Sequence, residues 1–158
     1  MEKLIQNINS FMEKLIQNLK TVLGTTFTLY LKFHAAHWNI EGPFFESYHK
    51  LFNGIYDDLW QSVDVIAEQI RQLDAYAPGS LERFVELSKI KGTNEILPPN
   101  TLVVMLLKDI ETLVSLTTEA LHNAEKEDKQ GLVNFLAGRV EMLSKWRWQL
   151  RATSKKIV

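Results

Sequence analysis

Three of the four histidines in the chain, His34, His37 and His49, fall within a stretch of 16 residues. Imidazole is the commonest protein ligand for metals and the usual proton carrier near neutral pH. Downstream, Asp64 and Glu68 stand four residues apart, which puts both carboxylates on one face of a helix. His49 and Asn53 share that spacing, and Asn53 precedes Asp64 by 11 residues, so the two pairs lie on nearly the same side of one helix. The chain has no cysteine, and imidazole with carboxylate suits Fe(II), Mn(II) or Zn(II).

One distance stands against a simple site. His49 and Asp64 are 15 residues apart, about 22 Å along a helix, and cannot hold the same ion within one chain. Two copies of that helix packed antiparallel about a two-fold axis would bring His37 and His49 of one copy to Asp64 and Glu68 of the other, twice per dimer. The same residues also have plainer readings. A histidine on an apolar stripe packs more often than it ligates. His34 lies off the stripe, where it would support the site or face solvent. Two carboxylates on a helix can simply be solvated. Trp38, Trp60, Trp146 and Trp148 read as core or interface anchors.

The elements that would position these residues are helices. Breaks fall at Gly42-Pro43, at Ala77-Pro78-Gly79, at Lys91 to Asn100 and, more softly, at Lys126 to Gly131. Between them apolar residues recur at threes and fours. The first segment, Ile8 to Trp38, carries Leu15, Leu19, Val22, Leu29, Phe33 and His37. The second, Phe44 to Tyr76, carries Leu51, Ile55, Leu59, Val63, Ile66, Ile70 and Leu73. A short helix capped by Ser80, with Glu82 in its first turn, is expected next. The third segment starts at Asn100 as N-cap and carries Leu102, Val103, Leu106, Ile110, Leu113, Val114 and Leu121. The fourth, Gly131 to Thr153, carries Leu132, Leu136, Val140, Leu143 and Leu150. The expected fold is all-α: one domain over residues 1–158, a four-helix bundle whose long crossover holds a short extra helix and lets the second and third long helices run parallel. Gly24, Gly54 and Gly138 sit inside predicted helices, where close packing would justify them. MEKLIQN occurs at residues 1–7 and again at 12–18, a period that continues one helical face and reads as an extended or partly flexible helix start.

At 158 residues, 46% hydrophobic and 23% charged, the chain can bury a sizeable core. A formal charge of −1 gives no global attraction to nucleic acid. The N-terminus lacks the pattern of a secretory signal and no apolar run is long enough for a membrane span, so a cytoplasmic location is expected.

The run from His34 to Ile70, HAAHWNIEGPFFESYHKLFNGIYDDLWQSVDVIAEQI, resembles the signature of the Dps family of mini-ferritins, within the ferritin-like superfamily. His37, Trp38 and Asn39 match its opening, Gly42 and Phe45 its turn, His49 the second histidine, and Asp64, Ala67 and Glu68 its D-x-x-A-E element; Trp148-Gln149-Leu150-Arg151 is similar to its closing motif. The resemblance implies a homo-oligomer, a hollow dodecamer built from two-fold dimers. In such shells Fe(II) is oxidised at inter-subunit ferroxidase sites, preferably by hydrogen peroxide rather than oxygen, and ferric mineral is stored inside, which protects against oxidative damage. No organic cofactor is implied. By position His37 and His49 would be iron ligands from one chain and Asp64 and Glu68 from its partner, with Trp38 beside the site as an electron donor.

Asn53 departs from the pattern, which has an acid there; a neutral amide holds Fe(III) less well. Asp57, one turn further on, is a possible substitute. Aligned through Arg139, Asn134 falls where relatives place a pore acid, and Glu127 and Asp128 would then supply the negative field. Two other readings remain open. One is a DNA-coating shell. The basic N-terminal tail of some relatives is absent, since Lys3, Lys14 and Lys20 are offset by Glu2 and Glu13, and Arg151, Lys155 and Lys156 are the better phosphate contacts. The other is a helical shell that has lost its chemistry, favoured only by Asn53.

Overall fold

The structure, a computed structural model, describes residues 2–155, with side chains from residue 11 onward. Among these residues there are five helices and no strand: α1 (Glu2–Asn39), α2 (Phe45–Gln72), α3 (Leu81–Leu87), α4 (Pro99–Lys126) and α5 (Gln130–Ser154). The apolar stripes read from the sequence turn inward. Leu15, Leu19 and Phe33 of α1 meet Phe52, Ile55, Leu59, Ile66 and Ile70 of α2, Leu106, Ile110 and Leu113 of α4, and Leu136, Leu143 and Leu150 of α5 in one core. Burying each such side chain contributes about 1.5–3 kcal/mol, so the matched stripes drive the assembly of the bundle.

The helices form two antiparallel hairpins, α1–α2 and α4–α5, joined by the crossover over residues 73–98. Tyr48 near the start of α2 reaches Asn100 at the start of α4, while Asn18 in α1 bonds Asn123 late in α4. Thus α2 and α4 run parallel, as a ferritin-like crossover requires. No described helix is long and apolar enough to cross a membrane.

Several boundaries differ from the sequence reading. Helix α1 begins at Glu2 rather than Ile8, so the repeat at residues 12–18 extends a continuous helix; Met1 lies outside the described residues. Helix α2 ends at Gln72 rather than Tyr76, because Asp74 turns to φ 59° and the amides of Leu73 and Asp74 fold back onto Ile70 and Arg71. Helix α4 begins at Pro99, with Pro98 at the cap position. Asn100 is therefore not an N-cap, and it receives the Tyr48 hydroxyl instead. Ser80 does cap α3, accepting the Arg83 amide at 3.2 Å.

The crossover is tied to α1 just after α3. Thr25 accepts the Lys89 amide, and buried Lys32 pairs with Asp109 of α4 while donating to the Lys91 carbonyl at 2.9 Å. One residue before Thr25, Gly24 lets α3 approach closely: a Cβ there would lie 2.9 Å from Leu87 Cβ and 3.0 Å from the Phe84 carbonyl oxygen. Gly54 makes room for the Trp146 ring in the same way, whereas a Cβ on exposed Gly138 would meet nothing within 4 Å. The two ends of that range give opposite expectations in a thermal melt. Gly138→Ala should stabilise by about 1 kcal/mol through helix propensity. Gly24→Ala should destabilise by about 1 kcal/mol, because overpacking at about 1–3 kcal/mol exceeds the same propensity gain.

Candidate metal centre

The turn that joins α1 to α2 sets the site. Gly42 adopts φ +113°, a left-handed conformation that a side chain would strain, and its carbonyl accepts the Phe45 amide at 3.0 Å. The chain thereby reverses within five residues and brings the last turn of α1 beside the first turns of α2.

His37 and His49 meet across that turn and hold each other. Nδ1 of His37 donates to the carbonyl oxygen of His49 at 2.9 Å, and Nδ1 of His49 donates to the carbonyl oxygen of His37 at 2.9 Å. A carbonyl can only accept, so the hydrogen must sit on Nδ1 in both rings, and in the neutral form both Nε2 lone pairs are left bare. The rings stack with centroids 3.6 Å apart and 18° between planes. Main-chain oxygens that accept from Nδ1 fix the tautomer and ring angle of each imidazole and leave Nε2 as the nitrogen able to bind a metal.

Asp64 and Glu68 lie on an exposed face of α2, several turns beyond His49. The fold does not bring them to the histidines within one chain, and among the described residues no group of three or more histidine and carboxylate side chains is placed to hold a metal. Asn53, one turn past His49, has its side-chain oxygen engaged by the Tyr56 hydroxyl at 3.1 Å. Asp57 accepts from Gln61 at 2.9 Å rather than turning toward the histidines.

His34 is half-buried within a cluster of rings. It stacks on Tyr56 at 4.0 Å and 17°, lies 4.2 Å from the Trp38 ring, and shares a 3.1 Å hydrogen bond with the Tyr30 hydroxyl through Nδ1. Burial, and secondarily the neighbouring His37, lowers its pKa below the usual 6.5. The sequence reading passed over Tyr30 and Tyr56, although Tyr30–His34 at i, i+4 and Asn53–Tyr56 at i, i+3 are both visible as helical neighbours. The fourth histidine, His122, pairs with Glu125 on the exposed end of α4, away from this cluster.

The tryptophans are not core anchors as a set. Trp38, Trp60 and Trp148 are 59%, 52% and 63% exposed, and Trp146 is half-buried between α2 and α5. There its indole nitrogen donates to Asp58 at 3.0 Å, and Asp58 also takes both arms of Arg139 at 2.7 and 3.0 Å. Asn134 and Asp128 are exposed and Glu127 half-buried near the α4–α5 turn. Of the basic residues near the C-terminus, Arg151 lies 3.6 Å from Glu111, which offsets its charge; Lys155 ends α5 and Lys156 lies outside the described residues.

A ferritin-like domain matches residues 16–157, and the chain belongs to the ferritin-like family. Its relatives there include Dps proteins. It is 28% identical to the DNA protection during starvation protein of Helicobacter pylori over 140 residues, covering 88% of this chain and 97% of that one. It is 32% identical over 139 residues to an uncharacterized low temperature-induced protein of Nostoc, covering 87% and 78% respectively. Among solved structures, antigen TpF1 from Treponema pallidum superposes with a TM-score of 0.89 at 26% identity, over 93% of this chain and 95% of that one. The Dps protein from Vibrio cholerae, described as a member of a broad superfamily of ferritin-like diiron-carboxylate proteins, gives 0.87 at 25% identity over 92% of each chain.

Proposed function

We propose that this chain is a ferroxidase subunit of an iron-storing mini-ferritin shell, a dodecamer built from two-fold dimers and working in the cytoplasm. Fe(II) is the substrate. His37 and His49 of one chain bind it together with Asp64 and Glu68 of the partner, and hydrogen peroxide is the preferred oxidant. Two Fe(II) each give one electron, the O–O bond breaks, and two hydroxides form without release of hydroxyl radical; the ferric product is stored as mineral.

The reciprocal histidine pair carries this reading. Two stacked imidazoles with bare Nε2 atoms are half of a site that suits Fe(II), and Asp64 and Glu68 stand further along α2, where an antiparallel partner would supply them. The exposed apolar side chains of Trp38, Trp60 and Val65 on α1 and α2 support a partner covering this face. The relatives' names mention DNA protection; here Arg151 pairs with Glu111, and DNA is not part of the proposal.

Stopped-flow oxidation of anaerobically loaded Fe(II), with peroxide and oxygen added separately, tests the reading. Protein-dependent acceleration by peroxide is expected, and none above free Fe(II) would sink it. Asn53→Asp restores a negative oxygen donor and should tighten iron binding by roughly 10-fold, in line with the effect of a ligand-sphere change. Equal iron affinity in the two proteins would show that this position does not face the metal.

A further inference from the structure

A cavity of about 70 Å³ lies on the side of α1 away from the histidine pair, between Lys32 and Ala35 of α1, Met105 of α4 and the crossover segment 93–97. That is room for a few molecules the size of water or hydrogen peroxide. Its wall carries hydrogen-bond donors. Buried Lys32 donates to the Lys91 carbonyl at 2.9 Å and pairs with Asp109, which engages two of its three ammonium hydrogens and leaves one for whatever fills the cavity. The Thr93 hydroxyl oxygen accepts the Glu95 amide at 3.1 Å and keeps its own hydrogen to donate. Met105 stands one turn before Asp109, so its thioether shares the face of α4 that meets Lys32.

We propose that Met105 is a modification site, oxidised to the sulfoxide by hydrogen peroxide that enters this cavity, and that the sulfoxide loosens the crossover at residues 93–97. The proposal needs no metal and stands apart from the ferroxidase reading. Met12, Met105 and Met142 are all half-buried, so exposure alone does not rank them. What sets Met105 apart is a wall position in a cavity that admits peroxide and offers it hydrogen bonds.

The chemistry balances without a further reagent. The thioether sulfur gives an electron pair to one peroxide oxygen, the O–O bond breaks and an S–O bond forms. The departing hydroxide takes the proton of the transferred oxygen and leaves as water. Sulfur loses two electrons and peroxide gains two. Donors on the wall, the Lys32 ammonium and the Thr93 hydroxyl, stabilise the negative charge that develops on the departing oxygen. The product then disturbs its surroundings. Met105 and Leu97 both line the cavity and pack against the core, and a sulfoxide puts a polar oxygen where apolar contact closed the space. That oxygen competes with the Lys91 carbonyl for the Lys32 ammonium, the bond that ties the crossover down beside this segment. A methionine sulfoxide reductase reverses the change.

The test uses the full chain, iron-free and with a chelator present, so that no metal takes part. Hydrogen peroxide is added and each methionine is read by mass in its own tryptic peptide, residues 4–14 for Met12, 92–108 for Met105 and 140–145 for Met142. Met105 is expected to gain one oxygen several-fold faster than the other two. Oxidation no faster than at Met12 and Met142 overturns the proposal. Ala35→Leu fills the cavity from α1 and should bring Met105 down to the rate of Met142; a rate as high as before also overturns it. Amide exchange at residues 93–97 should quicken once Met105 is oxidised and stay unchanged in peroxide-treated Met105→Leu. Equal exchange in the oxidised and untreated chains overturns the loosening.

Discussion

Replacing His37 and His49 together by alanine is expected to lower peroxide-dependent Fe(II) oxidation by more than about 100-fold, since changes to groups that merely orient metal ligands already cost about 10–100-fold. Both rings are half-buried at the end of the bundle, and their two mutual hydrogen bonds are worth about 1 kcal/mol each, so the helices and the mass of the assembly should survive. Size-exclusion mass and stopped-flow traces on the same sample separate the outcomes. An intact particle that no longer oxidises iron places the chemistry at this pair; an intact particle that oxidises it as before places it elsewhere. Single replacements should be nearly as damaging as the double one, because each removes one of the two imidazole ligands and the ring against which the other stacks, while the main-chain carbonyl that accepts from the remaining ring stays in place.

The second large effect is on stability. Asp58→Ala removes the shared acceptor of Arg139 and Trp146 and leaves a half-buried guanidinium without its partner. Breaking a buried pair from one side costs about 3–5 kcal/mol, and with side chains 13% and 19% exposed the lower end applies. At about 2–4 °C per kcal/mol for a chain of this size, Tm should fall by about 6–12 °C when compared at one protein concentration. Asp58→Asn keeps an acceptor for the indole and should lose about half as much. A drop under about 1 kcal/mol in the alanine variant would mean that apolar packing alone holds the α2–α5 seam.

The periodicity of Leu, Ile and Val announced the long helices and the stripes they bury, because burial of a helix leaves a repeat every three or four residues. The parallel run of α2 and α4 was legible too, from the mere length of the crossover. What the sequence hid was decided by single side chains. Asp74 ends α2 by entering the left-handed region, which Asp tolerates without any Gly or Pro to mark the place. Asn100 looks like a cap, but Pro98 and Pro99 fix the backbone two residues earlier. At the site, the spacing of His37 and His49 across the Gly42 turn was readable, and so was the remoteness of Asp64. That each ring binds the other's carbonyl was not, since it depends on how two helix ends meet. Asp58 lies far along the chain from Arg139 and Trp146, and no local pattern links it to them.

The mutual embrace of His37 and His49 bears on how such a centre would be used repeatedly. An imidazole free to rotate loses that freedom each time it captures an ion and regains it on release. Here both rings are already immobilised by main-chain oxygens before any ion arrives. On the ferroxidase reading, emptying the centre after each oxidation leaves no rearrangement to be undone. Refilling then waits on the supply of Fe(II) rather than on the protein, and the half-site keeps its shape through every cycle.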